Sequence, residues 1–464
     1  MTSIARLVPS VAVHGRVRPL TQVRAWLAFV AVIIGLWLLA LLGVPGATGL
    51  AWAGGVLCLL STLFAPQSYA AFAVVAAILV GPWLSQLVIT QRLGPALNVE
   101  TIMALAGLTR FFPAFVLNKY PTIPRAVLWC VAAYVFADLV AVMRGYESPD
   151  FVALGGHYVR FFAVVACMWE AGRRLLWEDS LVIVFAALTS LSLVGVVVGT
   201  DTYGVSPSTL GELSMARSSS IADPNMATVP LTMWITFFLS SQLFTKMRGA
   251  KIWMPVGIAV AGIAMLLSAS RTAFLSLVVG LVAMVFLSGR KRMGSAVALL
   301  AGSFLLAALT VIPKPFQERL LGSSAFGMNT RNYVFENALS AIFDAPILGS
   351  GRDTYFKASH AEVHLGAHNT FLQILADGGI VSAMVFVVLL VVLFCTCLRF
   401  RRLGARGPVQ VYPVVFIVYV VAANGLTIGL IGNPIGLAFT AISAAMLGAG
   451  AQHAMAESLA VGVD

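Results

Sequence analysis

Residues Gly379–Leu398 read GIVSAMVFVVLLVVLFCTCL, an apolar stretch without a single charged side chain. A helix of about 20 such residues has the length that crosses the hydrocarbon core of a bilayer. The basic residues Arg399, Arg401 and Arg402 follow directly. This stretch predicts a transmembrane helix, and similar stretches occur along most of the chain.

The composition of the whole chain is that of a protein embedded in a membrane. Of its 464 residues, 10% are charged and 60% are hydrophobic, and the mean hydropathy is +0.95. A typical soluble domain is about 25% charged. A soluble fold of this size needs more polar surface, so a soluble enzyme is excluded. We therefore predict an all-α, polytopic integral membrane protein.

Apolar runs long enough to span a bilayer recur along the chain. We count about 12 transmembrane helices, within a range of about 12 to 14. A weaker run, Ile102–Leu117, contains Arg110 and Pro113 and is a candidate for a re-entrant or interfacial segment. The other runs lie at Trp26–Val44, Ala47–Phe64, Tyr69–Thr90, Ala126–Val142, Tyr158–Trp177, Leu181–Thr200, Met226–Phe244, Ile252–Ser268, Thr272–Ser288, Ser295–Ile312, Gly379–Leu398, Tyr412–Ile431 and Pro434–Ala451.

The basic residues define an orientation for these spans. When the spans alternate from a cytoplasmic N-terminus, most of the 29 Lys and Arg residues fall on the cytoplasmic side, which is the positive-inside pattern. The net charge of +11 therefore reflects topology rather than a nucleic-acid partner. The predicted regions are a basic, retained cytoplasmic segment at 1–24, membrane helices at 25–312 with an outer segment near 201–225, a large helical outer loop with the candidate catalytic site at 313–377, the last three membrane helices at 378–452, and a short cytoplasmic tail at 453–464.

Arg271 is an exception to this charge pattern. It lies in the tight turn Ser268–Ala273 (SASRTA) between two spans, on the outer side, where short loops avoid arginine. A functional role is one interpretation, and a helix cap or an ion pair with a loop acid is the other.

Within the outer loop, Arg331–Phe343 has apolar residues at the spacing of one helical face. The pattern predicts a helix with Asn329 or Thr330 as N-cap, ending before Pro346, with its apolar face on the bilayer or on the tops of the spans. Arg331 then lies in the first turn, where free N–H groups also attract an anion. The glycine-rich turn Ile347–Gly351 is too short for a nucleotide loop and is interpreted as a bend.

Three of the six histidines, His360, His364 and His368, follow in the same loop. Their four-residue spacing is compatible with zinc, but Gly366 interrupts the helix this requires, and solvated loop histidines are the alternative. His368 differs from the other two because it directly precedes an apolar helix, Phe371–Ala376, that runs into the next span. A histidine held there is a candidate general base.

The predicted outer face thus combines one candidate base, His368, with three arginines, Arg217, Arg271 and Arg331. Guanidinium groups bind phosphoryl oxygens bidentately, which suits a pyrophosphate leaving group. The sequence has no DxD motif, which argues against a nucleotide donor held by Mg²⁺. Outside the cell and without ATP, the energy for a reaction has to come from a lipid-linked pyrophosphate.

At this point the sequence resembles the bacterial O-antigen ligase family, within a wider group that includes O-antigen polymerases and protein O-oligosaccharyltransferases. Together with the topology, the resemblance covers roughly residues 200–450. The motifs that carry it are Arg217 with Asp223-Pro-Asn225, Ser270–Ala273 (SRTA) between spans, and a block from Arg331 through Pro346–Gly351 (PILGSG) to His368–Gly379 (HNTFLQILADGG).

The resemblance implies a multi-pass protein of the Gram-negative inner membrane, with both termini cytoplasmic and the site facing the periplasm. It implies transfer of O-antigen polysaccharide from undecaprenyl pyrophosphate to the lipid A-core oligosaccharide, without metal, cofactor or nucleotide. The family's loop histidine falls on His368, and its functional arginines on Arg217, Arg271 and Arg331. We predict His368 and Arg271 as catalytic. The predicted substrate-binding residues are Arg217, Arg331, Asn369 and Arg352.

Two alternatives stay open. A polymerase or a protein O-oligosaccharyltransferase shares the donor chemistry, although the short segment after the last span favours a lipid acceptor. A flippase or transporter is also polytopic, and Asp138 or Glu170 paired with an arginine such as Arg110 or Arg160 is a candidate proton relay or a structural ion pair. The informative residues lie outside the membrane, whereas a transport site lies near the midplane.

Overall fold

The fold comes from a computed structural model that divides the chain into two compact units after Leu57. All described residues belong to the second unit. They are residues 99–117, 123–145, 151–174, 270–288, 325–352, 369–405, 407–426, 429–431 and 433–461, with isolated helical positions between 59 and 78 and between 229 and 262.

Every regular element within these ranges is helical. A 3₁₀ turn, Gly407–Gln410, precedes the seventh α-helix. The α-helices are α1 Val99–Leu117, α2 Arg125–Gly145, α3 Phe151–Arg174, α4 Arg271–Ser288, α5 Ala325–Asp344, α6 Thr370–Arg402, α7 Tyr412–Gly425 and α8 Pro434–Val461.

Three of the described helices, α2, α6 and α8, are long and apolar enough to cross a membrane. The prediction of an all-α membrane protein is confirmed for the described part of the chain. The number of spans stays a prediction, because most of the other apolar runs fall outside the described ranges. The leader 1–24 and the segment 201–225 also lie outside them.

The predicted helix limits agree best where the apolar run is regular. α2 and α4 match their predicted spans closely, α1 runs unbroken through Pro113, and α8 continues to Val461, well beyond the predicted end of its span. The span predicted at Tyr412–Ile431 is wrong in its extent. Its helix, α7, ends at Gly425, and its 14 residues rise only about 21 Å.

The backbone after α7 leaves the helix while still inside the protein. Leu426, Leu430 and Ile431 are all at most 5% exposed. The side chain of Asn433 then caps α8, accepting from the N–H of Ile435 at 2.9 Å. Irregular backbone in a membrane protein is tolerated where protein surrounds it or where it lines a cavity, so this interruption marks a special place in the bundle.

A sharp break divides α6 at Gly379, which has φ 65° and ψ −168°. The rings of Phe371 and Phe386 lie 5.5 Å apart, although a straight helix separates residues so spaced by about 22 Å. The short segment 370–378 therefore folds back along the long segment 380–402. The long segment packs against α2, where the rings of Tyr134 and Phe386 lie 5.6 Å apart with an angle of 39° between their planes.

The glycine-rich turn after α5 fills this break with its own backbone. The N–H groups of Ser350 and Gly351 donate at 2.9 Å to the carbonyls of Ala376 and Asp377. In return, the N–H groups of Ile380 and Val381 donate to Pro346 and Ile347 at 2.9 and 3.3 Å. The turn predicted as a bend thus replaces the helical hydrogen bonds that α6 loses at Gly379.

α5 begins at Ala325, earlier than predicted, so Asn329 and Thr330 lie inside the helix and neither is its N-cap. Cap preferences are weak and are overridden by tertiary packing. The predicted end before Pro346 is confirmed. Ala338 and Ala341 are buried against Ala376 of α6, with Ile342 and Leu372 packed around them. The remaining apolar side of α5 is exposed, at Phe335, Leu339 and Phe343.

Candidate functional site

Arg271 is the first residue of α4, and the residue before it caps the helix. The N–H of Ala273 donates to the hydroxyl oxygen of Ser270 at 3.3 Å, and Ser270 is 1% exposed. Arg271 is exposed, and the cap comes from Ser270 rather than from Arg271. A cation in the first turn opposes the helix dipole, so helix stability does not account for it.

Asn369 is the N-cap of α6. Its Oδ1 accepts from the N–H of Leu372 at 3.0 Å, and its Nδ2 donates to the carbonyl of Asn424 at 3.3 Å. Thr370 donates from its hydroxyl to the carbonyl of Leu426 at 2.7 Å. These bonds fix the start of α6 on the end of α7. The prediction that a helix begins directly after His368 is confirmed.

α4 reaches the same place from another direction. A side-chain carbon added at Gly425 would lie 2.8 Å from the hydroxyl and methyl groups of Thr272, the second residue of α4. The starts of α4 and α6 therefore both meet the backbone at 424–426, where α7 ends. We call this place the helix-end junction; it comprises Arg271, Thr272, Asn369, Thr370 and the backbone at 424–426.

The helix-end junction has the electrostatics of an anion site. Each helix N-terminus contributes the positive end of a helix dipole. Arg271 adds a full positive charge to one of the two. A phosphate-bearing group has both the charge and the acceptor oxygens that such a place attracts.

Arg352 lies at the other end of the short segment 370–378, roughly 12 Å from Asn369 along the helix axis. Its backbone N–H donates to Ala141 of α2 at 2.9 Å. Its Nη1 lies 3.7 Å from Oδ2 of Asp138, which also accepts from the hydroxyl of Tyr158 at 2.8 Å. Arg352 is thus attached to α2, away from the starts of α4 and α6.

The other predicted site residues are not placed. Arg331 lies in the second turn of α5, not in the first as predicted, and its side chain is not described. Arg217, His360, His364 and His368 lie outside the described residues. Of the six predicted site residues, the described part of the chain brings two together, Arg271 and Asn369.

Sequence reasoning missed the residues that receive these helix starts. Thr272, Thr370 and Asn424 matter only through tertiary contacts, which no local pattern reveals. A signal for the interruption was nevertheless present. Asn424-Gly425 and Asn433-Pro434 are dipeptides that mark turns, and they stand within and just after an otherwise apolar run.

Both acids considered as proton relays are paired with arginine. Asp138 pairs with Arg352, and Glu170 lies 3.0 Å from Arg173 and 2.9 Å from Arg174. Both interpretations of the two acids, a structural ion pair and a proton relay, include such a pair. As for metals, the described residues contain no group of three or more His, Cys, Asp or Glu side chains that could hold an ion.

The described helices define a helical membrane protein in which two helix N-termini meet at an interrupted helix. Compared with known families, residues 256–387 match the O-antigen ligase family. The matched segment contains Arg271, Arg331, His368 and Asn369, while Arg217 precedes it. The resemblance to the O-antigen ligase superfamily is confirmed over these residues. No curated protein matches the chain.

Proposed function

We propose that the protein is an O-antigen ligase of the Gram-negative inner membrane. It transfers O-antigen polysaccharide from undecaprenyl pyrophosphate to the lipid A-core oligosaccharide at the periplasmic face. The reaction uses His368 as base and arginines as ligands of the pyrophosphate, and it needs neither metal nor nucleotide. The loop 313–377 carries the site on the periplasmic side, with residues 378–452 forming the last three spans.

The observation that carries the proposal is the helix-end junction. A pyrophosphate at a membrane surface needs several donors held in place before it arrives, because preorganised donors stabilise developing charge without rearranging. Arg271 and two helix N-termini provide such donors at one place. His368 directly precedes Asn369, which is bonded to Asn424 and Leu372. The candidate base is therefore next in sequence to a fixed point of the junction.

In the proposed reaction His368 accepts the proton of an acceptor sugar hydroxyl. The oxygen attacks the anomeric carbon of the donor, and a new glycosidic C–O bond forms. The C–O bond to the pyrophosphate breaks, and undecaprenyl pyrophosphate leaves with the bonding electron pair. In-line attack inverts the anomeric centre. Arg271 neutralises the negative charge that grows on the leaving group.

The remaining residues have binding roles in this proposal. Arg217 and Arg331 hold the pyrophosphate with Arg271. Asn369 contacts the substrate and keeps the start of α6 in place. Arg352 binds the sugar portion from the α2 side, at a position set by Asp138.

The test is glycan transfer by the purified protein in detergent, with undecaprenyl-pyrophosphate O-antigen as donor and excess chelator present. We expect product on lipid A-core. If activity returns only when zinc is added, His360, His364 and His368 are zinc ligands and His368 is not the general base. Transfer to a second O-antigen chain or to a protein, but not to lipid A-core, would identify the polymerase or the protein-directed enzyme instead.

Uptake separates transfer from transport. If His368→Ala moves labelled lipid-linked sugar into vesicles at the wild-type rate while wild-type protein makes no transfer product, the protein is a transporter and the proposal is wrong. His453→Ala is the matched control, because His453 lies near the far end of α8, beside Gly407.

A further inference from the structure

A second group of arginines lies at the end of α3, remote in sequence from the helix-end junction. Glu170, which is 1% exposed, forms an ion pair with Arg173 through one carboxylate oxygen and with Arg174 through the other. We call these three residues the arginine cluster. One carboxylate thus faces two guanidinium groups, and the cluster has an excess of positive charge.

Neighbouring helices hold both arginines in position. Arg173 also reaches Gln452 of α8, with Nη2 3.4 Å from Oε1. The guanidinium of Arg174 lies 4.8 Å from the centre of the Phe111 ring of α1. Arg110, next to Phe111, is close enough to act on the charge of Arg174. The cluster is therefore built between three helices and does not consist of loose side chains at a surface.

One hydrogen-bond donor in the arginine cluster has no acceptor. The Nη1 group of Arg174 is buried and has no hydrogen-bond partner. The two oxygens of Glu170 accept from Nη1 of Arg173 and from Nη2 of Arg174, and neither accepts from Nη1 of Arg174. A buried donor of a charged group is costly to leave unpaired. Buried charge in a membrane protein is normally compensated or functional.

We propose that the arginine cluster, with Arg110 beside it, binds a phosphate-bearing anion. The positive-inside pattern predicts the end of α3 on the cytoplasmic side, and basic pockets between membrane helices on that side bind phosphate head groups. The fork of Arg174 has one arm on Glu170 and one arm, Nη1, directed at the anion. The source is either the head group of an inner-leaflet phospholipid or free phosphate. The site is independent of the proposed transfer reaction.

The test measures retention of phosphatidylglycerol by the purified protein in native mass spectrometry, with phosphatidylcholine and inorganic phosphate as the other two probes. We expect Arg174→Gln to weaken phosphatidylglycerol retention about fivefold, which corresponds to ~1 kcal/mol for one basic residue near an anionic lipid surface. Arg399→Gln is the matched control, because it removes a charge near the far end of α6 on the same predicted side. It should retain the lipid like the wild type.

The opposite substitution gives the opposite sign. Glu170→Gln leaves both arginines without their carboxylate and should raise retention of the anion, whereas a merely structural cluster predicts no gain. If Glu170→Gln fails to fold, the pair Arg174→Gln and Arg399→Gln still decides. The proposal is overturned if both variants lose phosphatidylglycerol equally. It is also overturned if the wild-type protein retains phosphatidylcholine as strongly as phosphatidylglycerol. If the protein retains inorganic phosphate as strongly as phosphatidylglycerol at the same concentration, free phosphate is the source of the anion.

Discussion

The helix-end junction has its arginine at the start of one helix, whereas the arginine cluster has its arginines at the end of another. Arg173 and Arg174 lie in the last turn of α3, where a cation is favourable to the helix dipole and a carboxylate lies beside it. Arg271 lies in the first turn of α4, where a cation is unfavourable. The arginines of the cluster therefore stabilise the end of their own helix, whereas Arg271 does not stabilise the start of α4 through the helix dipole.

The two places also differ in backbone. The arginine cluster lies on an unbroken helix, while the junction depends on the end of α7 and on a short segment of α6 that folds back at Gly379. The turn at 345–352 maintains this break with four backbone hydrogen bonds. An interrupted helix places helix ends inside a membrane protein. The N–H groups of a first helical turn have no acceptor within their own helix, whereas those of a helix interior do.

The largest effect is expected from the candidate base. His368→Ala should lower glycan transfer by about 10²–10⁴-fold, the usual contribution of a general base. The protein should elute and unfold like the wild type. His453→Ala, far from the junction in sequence, should transfer normally. Transfer by His368→Ala at more than a tenth of the wild-type rate would remove the histidine from the reaction.

The second effect tests the break in α6 through stability. At Gly379 the backbone has a positive φ, and an added methyl group would collide with the carbonyl of Ile347. Gly379→Ala should therefore lower the free energy of unfolding in detergent by about 2–4 kcal/mol. Gly155→Ala in α3 is the matched control, because an added methyl group there meets nothing within 4 Å. It should raise stability by about 0.5–1 kcal/mol. Equal stability of the two variants would show that the break is not required.

The third effect compares charge with geometry at the two arginine sites. Arg271→Lys keeps the charge but loses the planar fork, and we expect kcat for transfer to fall by about 10-fold to 100-fold. Arg174→Lys makes the same change in the arginine cluster and should leave transfer within about twofold of wild type. The measurement is the initial rate with saturating donor. A similar loss in both variants would indicate a general effect of arginine loss on folding or insertion.

How much the sequence predicts depends on the kind of order involved. α2 and α4 follow from unbroken apolar runs. Arg271 stays a predicted site residue, indicated by the scarcity of arginine in short outer loops. The early end of α7 was missed because Leu426, Leu430 and Ile431 keep the run apolar although the backbone is no longer helical. Asn369 was predicted at the site, whereas its partner Asn424 was not, since that contact joins residues 55 positions apart.

The smallest effect has opposite signs at the two sites. Replacing Arg271 by Gln removes a cation from a helix start. The free energy of unfolding should stay unchanged or rise by up to ~1 kcal/mol, and the unfolding temperature should change in the same direction. Replacing Arg174 by Gln removes a cation from a helix end and breaks its pair with Glu170, so stability should fall by about 1–3 kcal/mol. Thermal unfolding of both variants in one detergent, without added lipid or donor, measures the difference. If Arg271→Gln is destabilised as strongly as Arg174→Gln, Arg271 has a structural role in the bundle, and its presence at the start of α4 no longer argues for a bound pyrophosphate.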